Sequence, residues 1–208
     1  MKALLLKNWL TLRKGNPLFL AFLILYAIIG AFTSNPVFYG CFVALLCALM
    51  PKTVMSFDER SGWERYSAAL PLSRKKQVGA IYVLSLLTSL AGTALFCGLR
   101  AVLMLDPGRF PESIPMPLLI AIMLITSLLM CAFNYPFIFK LGVEKGRTSM
   151  MIAAVFAVLL GILAFGALEM HATFTIPPFA YILALLASLL IWLASMCISI
   201  RLYESRDL

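Results

Sequence analysis

The sequence predicts an all-α membrane protein with six transmembrane helices, an N-terminal interfacial helix and a short cytoplasmic helix between the second and third spans. Apolar residues make up 62% of the 208 residues and charged residues only 12%, against about 25% charged in an average soluble domain. The charged residues separate apolar runs, and the chain has room for about six runs of roughly 20 residues. We therefore predict one membrane domain over residues 1–208, with almost no room for a separate water-soluble domain.

The first predicted element is an interfacial helix over residues 1–14. Leu5, Trp9 and Leu12 recur at helical spacing on one side, which is typical of a helix that lies in the plane of the membrane surface. An ordinary basic flank of the first span is the alternative. The six spans are then predicted over residues 17–34, 37–57, 77–105, 114–139, 148–168 and 178–200.

Prolines and turn-forming residues divide these spans. No charge occurs between Lys14 and Lys52, and this interval is too long for one span. Residues 34–36 (Ser-Asn-Pro) are therefore predicted to form a turn, as are residues 106–109 (Asp-Pro-Gly-Arg) after span three. Pro51 is expected to kink span two near its inner end.

The distribution of basic residues predicts the orientation. Fifteen of the 17 Lys and Arg residues fall on one predicted side of the membrane, and Arg100 and Arg109 fall on the other. Cytoplasmic loops carry the excess of Lys and Arg. We therefore predict that both termini and the segment between spans two and three are cytoplasmic. Because the net charge of +8 is distributed in this way, it indicates topology and not nucleic-acid binding.

The segment Phe57–Lys76 is the only long hydrophilic stretch, and eight of its twenty residues are charged. Ser61 and Glu64 have the spacing of a capping box, which predicts a short helix that begins at Gly62. Pro71 prevents this helix from continuing. We therefore predict a short helix that lies across the inner face of the membrane and is bounded at both ends.

One face of this short helix is apolar, because Trp63, Tyr66 and Leu70 recur at helical spacing. Such a face fits a groove on a partner protein, and the alternative is an anchor in the lipid headgroups. The neighbouring carboxylates Asp58 and Glu59 favour the protein, because carboxylates gain nothing from an anionic leaflet.

The pattern F-D-E-x-S-G-W-x-x-Y-x-x-x-L-P-x-S-R over residues 57–74 resembles the permease subunits of type-2 ABC transporters. It is most similar to small bacterial permeases that include the exporter of phenol-soluble modulins. The resemblance implies an interfacial elbow helix over 1–14 and a coupling helix in the region 58–72 that docks on an ATPase subunit. The docking residues that it implies are Asp58, Glu59, Gly62, Trp63, Tyr66, Leu70 and Pro71.

The function predicted from this resemblance is that of the membrane-spanning subunit of an ATP-driven exporter in the bacterial cytoplasmic membrane. Its expected partners are an ABC ATPase subunit that carries ATP and Mg²⁺, a second permease copy or paralogue, membrane lipid and a hydrophobic or amphipathic peptide substrate. The alternative is a structural or sensory multi-pass protein whose charged segment binds another cytoplasmic partner.

Two basic residues are candidates for the transport path or a gate. Lys52 lies near the inner boundary of span two, where the alternative is a side chain that extends to the membrane surface. Arg100 lies near the outer end of span three. Its alternatives are an ion pair with Asp106 or outward extension to the surface.

Two further polar residues are candidates for the same roles. Asn134, next to Tyr135 and Pro136, marks either a helix break that lines a cavity or a simple kink. Glu169 and His171 form either an outer polar gate or part of a solvated loop.

Catalytic and metal chemistry are not indicated. The five cysteines all fall in apolar spans without a C-x-x-C pair, and there is one His, so neither a disulfide framework nor a metal site is predicted. The pattern G-x-x-x-x-G-K-[ST] is absent, so we do not expect this chain to hydrolyse ATP through a P-loop. The spans also lack the clustered carboxylates or His of a membrane-embedded enzyme.

Overall fold

Helices carry the regular structure of the described residues. The structure is a computed structural model, which describes residues 2–15, 17–33, 36–68, 73–103, 115–143 and 178–205. Numbered in chain order, the helices are α1 (Lys2–Gly15), α2 (Pro17–Phe32), α3 (Pro36–Arg60), α4 (Trp63–Ala68), α5 (Arg74–Leu103), α6 (Met116–Leu141) and α7 (Pro178–Glu204). No strand occurs among the described residues.

Four of these helices are long and apolar enough to cross a membrane. They are α3, α5, α6 and, from Phe179 onward, α7, and they have 25 to 30 residues each. The helix at the position of the predicted first span, α2, has only 16 residues, and its apolar part is Leu20–Gly30. Several predicted features lie outside the described residues. They are the span 148–168, the turn 106–109, the first two residues of the turn 34–36, and the candidates Leu70, Pro71, Glu169 and His171.

The long helices extend beyond the apolar runs that predicted them. Span two was predicted to end at residue 57, whereas α3 continues through Asp58 and Glu59 to Arg60. Likewise α5 begins at Arg74, three residues before the predicted start, and α7 ends at Glu204, four residues after the predicted end. An apolar run indicates the part of a helix that lies in hydrocarbon, while the helix itself ends where its backbone is capped.

Two glycines end helices at the same end of the bundle. Gly62 follows α3 with φ +68° and Gly142 follows α6 with φ +82°, conformations that residues with a Cβ rarely adopt. The Gly142 N–H donates to the Ile138 carbonyl oxygen at 2.8 Å, which closes the last turn of α6. Backbone geometry therefore fixes both helix ends.

The helix α3 lies at the centre of the bundle and packs against α1, α2, α5 and α6, while α7 packs mainly on α6. The buried side chains of α3 include Val43, Cys47 and Val54. Many large apolar side chains point away from the bundle, and on α7 Leu183 and Leu190 are each about two-thirds exposed. A surface of this kind is compatible with lipid and not with water.

Pro51 lies inside α3. A proline has no N–H, so the carbonyl oxygen four residues earlier, that of Cys47, lacks its helical donor. The hydroxyl of Thr88 on α5 donates to this oxygen at 3.1 Å. A neighbouring helix therefore replaces the hydrogen bond that Pro51 removes, as membrane helices with internal prolines require.

Pro136 in α6 likewise leaves a carbonyl oxygen without its helical donor, and a neighbouring helix again supplies one. The carbonyl oxygen four residues earlier is that of Ala132, and Ser195 on α7 donates to it at 2.7 Å. Asn134 donates from Nδ2 to the Met130 carbonyl oxygen at 2.8 Å within the same helix. The helix break that was one interpretation of this sequence is wrong, because α6 is continuous from Met116 to Leu141.

A chain of hydroxyl groups joins α5 to α7 in the core. The Tyr82 oxygen lies 2.8 Å from Ser195 Oγ and 2.7 Å from Ser199 Oγ. Since Ser195 donates to the Ala132 carbonyl, it accepts from Tyr82, and Tyr82 in turn accepts from Ser199. This order satisfies each buried hydroxyl and fixes the relative position of three long helices.

Candidate functional site

Most of the described charged side chains lie at one end of the bundle, which we call the charged end and define by Lys7, Asp58, Glu59, Trp63 and Tyr203. Here the α3–α4 turn meets α1, α5 and the ends of α6 and α7. The Ser61 N–H donates to the Phe57 carbonyl oxygen at 2.9 Å. The Ser61 hydroxyl donates to the Asp58 carbonyl oxygen at 3.2 Å, so it caps the end of α3.

Lys7 on α1 connects this turn to the N-terminal helix. Its Nζ donates to both carboxylate oxygens of Asp58, at 2.5 and 2.6 Å. The same ammonium lies over the Trp63 ring, 4.3 Å from its centroid, within the range of a cation–π interaction. The side chains of Lys7 and Asp58 are only 26% and 18% exposed, so solvent screens this pair less than a surface pair.

The side chains around Lys7 on α1 divide between two environments. Leu4, Asn8 and Leu12 are buried against the bundle, whereas Leu6 and Trp9 are at least half exposed. The apolar face predicted from residues 5, 9 and 12 is therefore split, because Leu12 packs into the protein core and Trp9 points outward. This geometry places α1 flat on the bundle with an apolar outer surface suited to lipid.

Glu59 connects the same turn to α6. Its Oε2 accepts a hydrogen bond from the Val143 N–H at 2.6 Å. Val143 follows Gly142, whose positive φ ends the helix. A carboxylate that accepts from a backbone N–H forms a charge-assisted bond. Asp58 and Glu59, which the sequence assigned to a partner protein, are thus both engaged within the chain, and their docking role stays a prediction.

The short helix α4 has one inner and one outer aromatic residue. The Trp63 and Tyr66 ring centroids lie 5.6 Å apart. Trp63 is half-buried beside Lys7, whereas Tyr66 is 61% exposed. On the bundle side, the buried Ser67 donates to Gln77 Oε1 on α5 at 3.4 Å. The predicted aromatic face therefore consists of an anchored tryptophan and an accessible tyrosine.

The start of α5 connects the charged end to the last helix. Arg74 donates from Nη1 to the carbonyl oxygens of Tyr203 and Glu204, at 3.1 and 2.8 Å. A cation at the C-terminus of a helix satisfies free carbonyls and opposes the negative end of the helix dipole. The Tyr203 hydroxyl donates to Gln77 Oε1 at 3.2 Å. The side chain of Gln77 is therefore shared between α4 and α7.

A cavity of about 50 Å³ lies among these groups. Lys7, Asp58 and Gln77 supply polar atoms to its wall, and Ile81 and Phe139 supply apolar ones. A volume of this size holds a few water molecules, whereas sites for drug-sized ligands measure about 300–1,000 Å³. The charged end is therefore a junction of helices and not a pocket for a large substrate.

The three described candidates for the transport path, Lys52, Arg100 and Asn134, lie on three different helices. Lys52 is half-buried inside α3 and makes contacts there. Arg100, three residues before the end of α5, is only 2% exposed. The predicted outward extension of Arg100 is therefore wrong: its Nη1 donates to the Thr33 carbonyl oxygen at 3.4 Å. Asn134 is buried in the last third of α6.

Sequence reasoning missed Lys7, Gln77 and Val143 as members of the junction. Lys7 was visible only as a basic residue on the polar side of α1, with a partner 51 positions away. Val143 contributes a backbone N–H, for which a side-chain pattern gives no signal.

Comparison with known proteins bears on the role of this junction. A family profile described as "ABC-2 family transporter protein" matches residues 3–204 of the 208. The chain belongs to this family. Neither a curated protein nor a solved structure shows significant similarity to it.

As an ABC-2 permease, the chain is an integral membrane protein, in agreement with its four long apolar helices. Family membership also implies partnership with an ABC ATPase subunit. The likeness to the exporter of phenol-soluble modulins stays a prediction.

Proposed function

We propose that this ABC-2 permease is the membrane-spanning subunit of an ATP-driven exporter and that α4 is the helix that docks on its ABC ATPase subunit. The observation that carries the proposal is the exposure of Tyr66, 61%, on a helix that α3 and α5 flank. An exposed tyrosine beside an anchored aromatic residue is typical of a protein-binding anchor. Arg60, the last residue of α3, and Lys75, the second residue of α5, are also exposed.

The connections of α4 explain how docking would move the permease. The helix α3 is continuous up to Arg60, so displacement of α4 acts directly on a long helix that lies at the centre of the bundle. The Glu59–Val143 bond passes the displacement to α6, and Gln77 passes it to α5 and α7. ATP binding then shifts the permease between two states by closing the ATPase dimer, which changes the position of the docked helix.

In the proposed assembly, ATP and Mg²⁺ belong to the ATPase subunit, and this chain has no nucleotide chemistry of its own. The charged end is cytoplasmic, as are both termini, in agreement with the excess of Lys and Arg there. Six spans per permease would include α2 and residues 148–168, and a second permease copy or paralogue would complete the transport path. The membrane is the bacterial cytoplasmic membrane.

The proposed substrates are hydrophobic or amphipathic molecules, with peptides of the modulin type or antimicrobial peptides as the first choice. The support is compositional: the helices expose long apolar surfaces and few charges. The small cavity at the charged end is too narrow to hold such a peptide, so the substrate would pass between permease copies or enter from the bilayer.

The variant Tyr66→Ala tests the docking role. We expect its affinity for the ABC ATPase subunit to fall at least tenfold, roughly the loss of one strong anchor residue at an interface. Tyr66 is chosen over Trp63 because Trp63 contacts Lys7 inside the chain. The measurement is co-purification from membranes, followed by titration of the ATPase onto permease in nanodiscs.

The matched control is Phe38→Ala. Phe38 is 63% exposed and lies at the start of α3, at the other end of that helix from α4. We expect Phe38→Ala to bind the ATPase as the parent does. Equal binding by the parent and by correctly folded Tyr66→Ala would contradict the docking role of Tyr66 on α4.

A further inference from the structure

We propose that Lys7 is the positioning residue of the docking helix: its ammonium group holds Trp63 and Asp58 together, so that α1 fixes the direction in which α4 presents Tyr66. The effect of Lys7 on ATPase binding rests on the proposed function. The structural content of the inference, the dependence of α4 on Lys7, is independent of any partner. None of the sequence patterns assigned Lys7 a role.

The helix α4 is too short to hold its own conformation. It has six residues, and isolated helices shorter than about 12 residues are marginal in water because the first turn is costly to form. Gly62 precedes it with a positive φ, and a glycine allows the chain to leave α3 in many directions. The direction of α4 must therefore come from contacts with other helices.

Lys7 supplies such a contact from a distant part of the chain. Its Nζ lies 4.3 Å from the Trp63 ring centroid and donates to both Asp58 oxygens. One side chain of α1 thus binds the last turn of α3 and the first residue of α4 at the same time. A group that bridges the two sides of a turn restricts the angle between them.

The helix α1, which carries Lys7, is itself held against the bundle. Leu4, Asn8 and Leu12 bury one side of α1 against the bundle, and its exposed Leu6 and Trp9 suit the membrane surface. Lys7 therefore lies on a helix whose one side packs on the bundle and whose other side suits the membrane surface. Movement of α4 relative to the membrane requires that the Lys7 contacts break or that α1 moves as well.

The variant Lys7→Met tests the inference, because methionine keeps much of the apolar stem and removes the charge. We expect amide hydrogen exchange in residues 62–68 of the free permease to become about threefold faster or more, with exchange in α6 unchanged. We also expect Lys7→Arg to restore slow exchange, because a guanidinium pairs with a carboxylate and stacks on an aromatic ring. Asp58→Asn, which leaves Lys7 over Trp63, should have an intermediate effect.

Arg13→Met is the matched control, because Arg13 is an exposed cation on the same helix and its loss changes the net charge equally. Exchange in residues 62–68 that is the same in Lys7→Met and Arg13→Met overturns the inference. In complexes with the ATPase, Lys7→Met should weaken binding about threefold, less than Tyr66→Ala. If Tyr66→Ala binds normally while Lys7→Met still loosens α4, the proposed docking fails and the positioning role of Lys7 stands.

Discussion

Replacing Gly30 by alanine is expected to destabilise the protein by about 1–3 kcal/mol, because the added methyl group has no space. A Cβ at Gly30 would lie 2.4 Å from the Tyr39 Cβ and 2.7 Å from the Phe96 Cε2. The Tyr39 Cβ is attached directly to the backbone of α3, so a change of rotamer cannot move it away. The helix α2 would have to separate from α3 and α5.

The midpoint of thermal unfolding in detergent measures this effect. At roughly 2–4 °C per kcal/mol for a chain of this size, the Gly30→Ala midpoint should fall by several degrees. Gly98→Ala is the matched control: it lies in α5, and its added Cβ meets no atom within 4 Å. We expect an unchanged or raised midpoint there, because alanine favours helix by about 1 kcal/mol over glycine. Equal midpoints for the two variants would contradict the close packing of α2 on α3.

Replacing Arg100 by methionine is expected to stabilise the protein. The side chain is 2% exposed, and within the described part of the chain its Nε and Nη2 have no hydrogen-bond partner. Its remaining contact, from Nη1 to the Thr33 carbonyl oxygen, is long at 3.4 Å. Replacement of buried ionic groups by apolar residues of similar volume often stabilises proteins by about 1–4 kcal/mol. We therefore expect the midpoint of thermal unfolding to rise.

Transport should respond in the opposite direction. An ionisable residue inside a membrane protein that costs stability is a default candidate for function, so we expect Arg100→Met to be more stable and less active in transport. Arg100→Lys, which keeps the buried charge, should not show the gain in stability expected of Arg100→Met. A lower midpoint for Arg100→Met would show that the guanidinium stabilises the fold, and the residue would then be structural.

The helices themselves were predictable from sequence, because hydrocarbon thickness imposes long apolar runs and charges separate them. Their ends were not. Asp58 and Glu59 were placed outside the second span because they are charged, yet α3 continues to Arg60. Gly62 then turns the backbone with φ +68°. Helix ends follow backbone caps, and a glycine signals a cap only once its position relative to the helix is known.

The prolines show a second limit. The sequence indicated that Pro51 and Pro136 interrupt hydrogen bonding within their helices, and on this basis a kink or break was expected. The freed carbonyls accept from Thr88 and Ser195, and these donors lie on other helices; the kink at Pro51 stays a prediction. Which hydroxyl faces which carbonyl depends on the packing of α5 and α7, for which the spacing of residues along one chain gives no rule.

The junction at the charged end combines both limits. Trp63 and Tyr66 were predicted as one apolar face with Leu70, and the two aromatic rings lie 5.6 Å apart. The division of this face into an anchored and an exposed residue required Lys7, whose partner Asp58 is 51 positions along the chain. A lone Lys and a lone Asp in sequence have many possible partners, so only the fold selects this pair.

Photocrosslinking at position 66 tests the central claim most directly. Tyr66 is replaced by the photoreactive analogue p-benzoyl-phenylalanine in permease expressed with its ABC ATPase subunit, and membranes are irradiated. If α4 is the docking helix, a product that contains both subunits forms from the probe at position 66 and not from the same probe at position 38. An intact complex that gives no such product from position 66, or equal products from both positions, would contradict the claim.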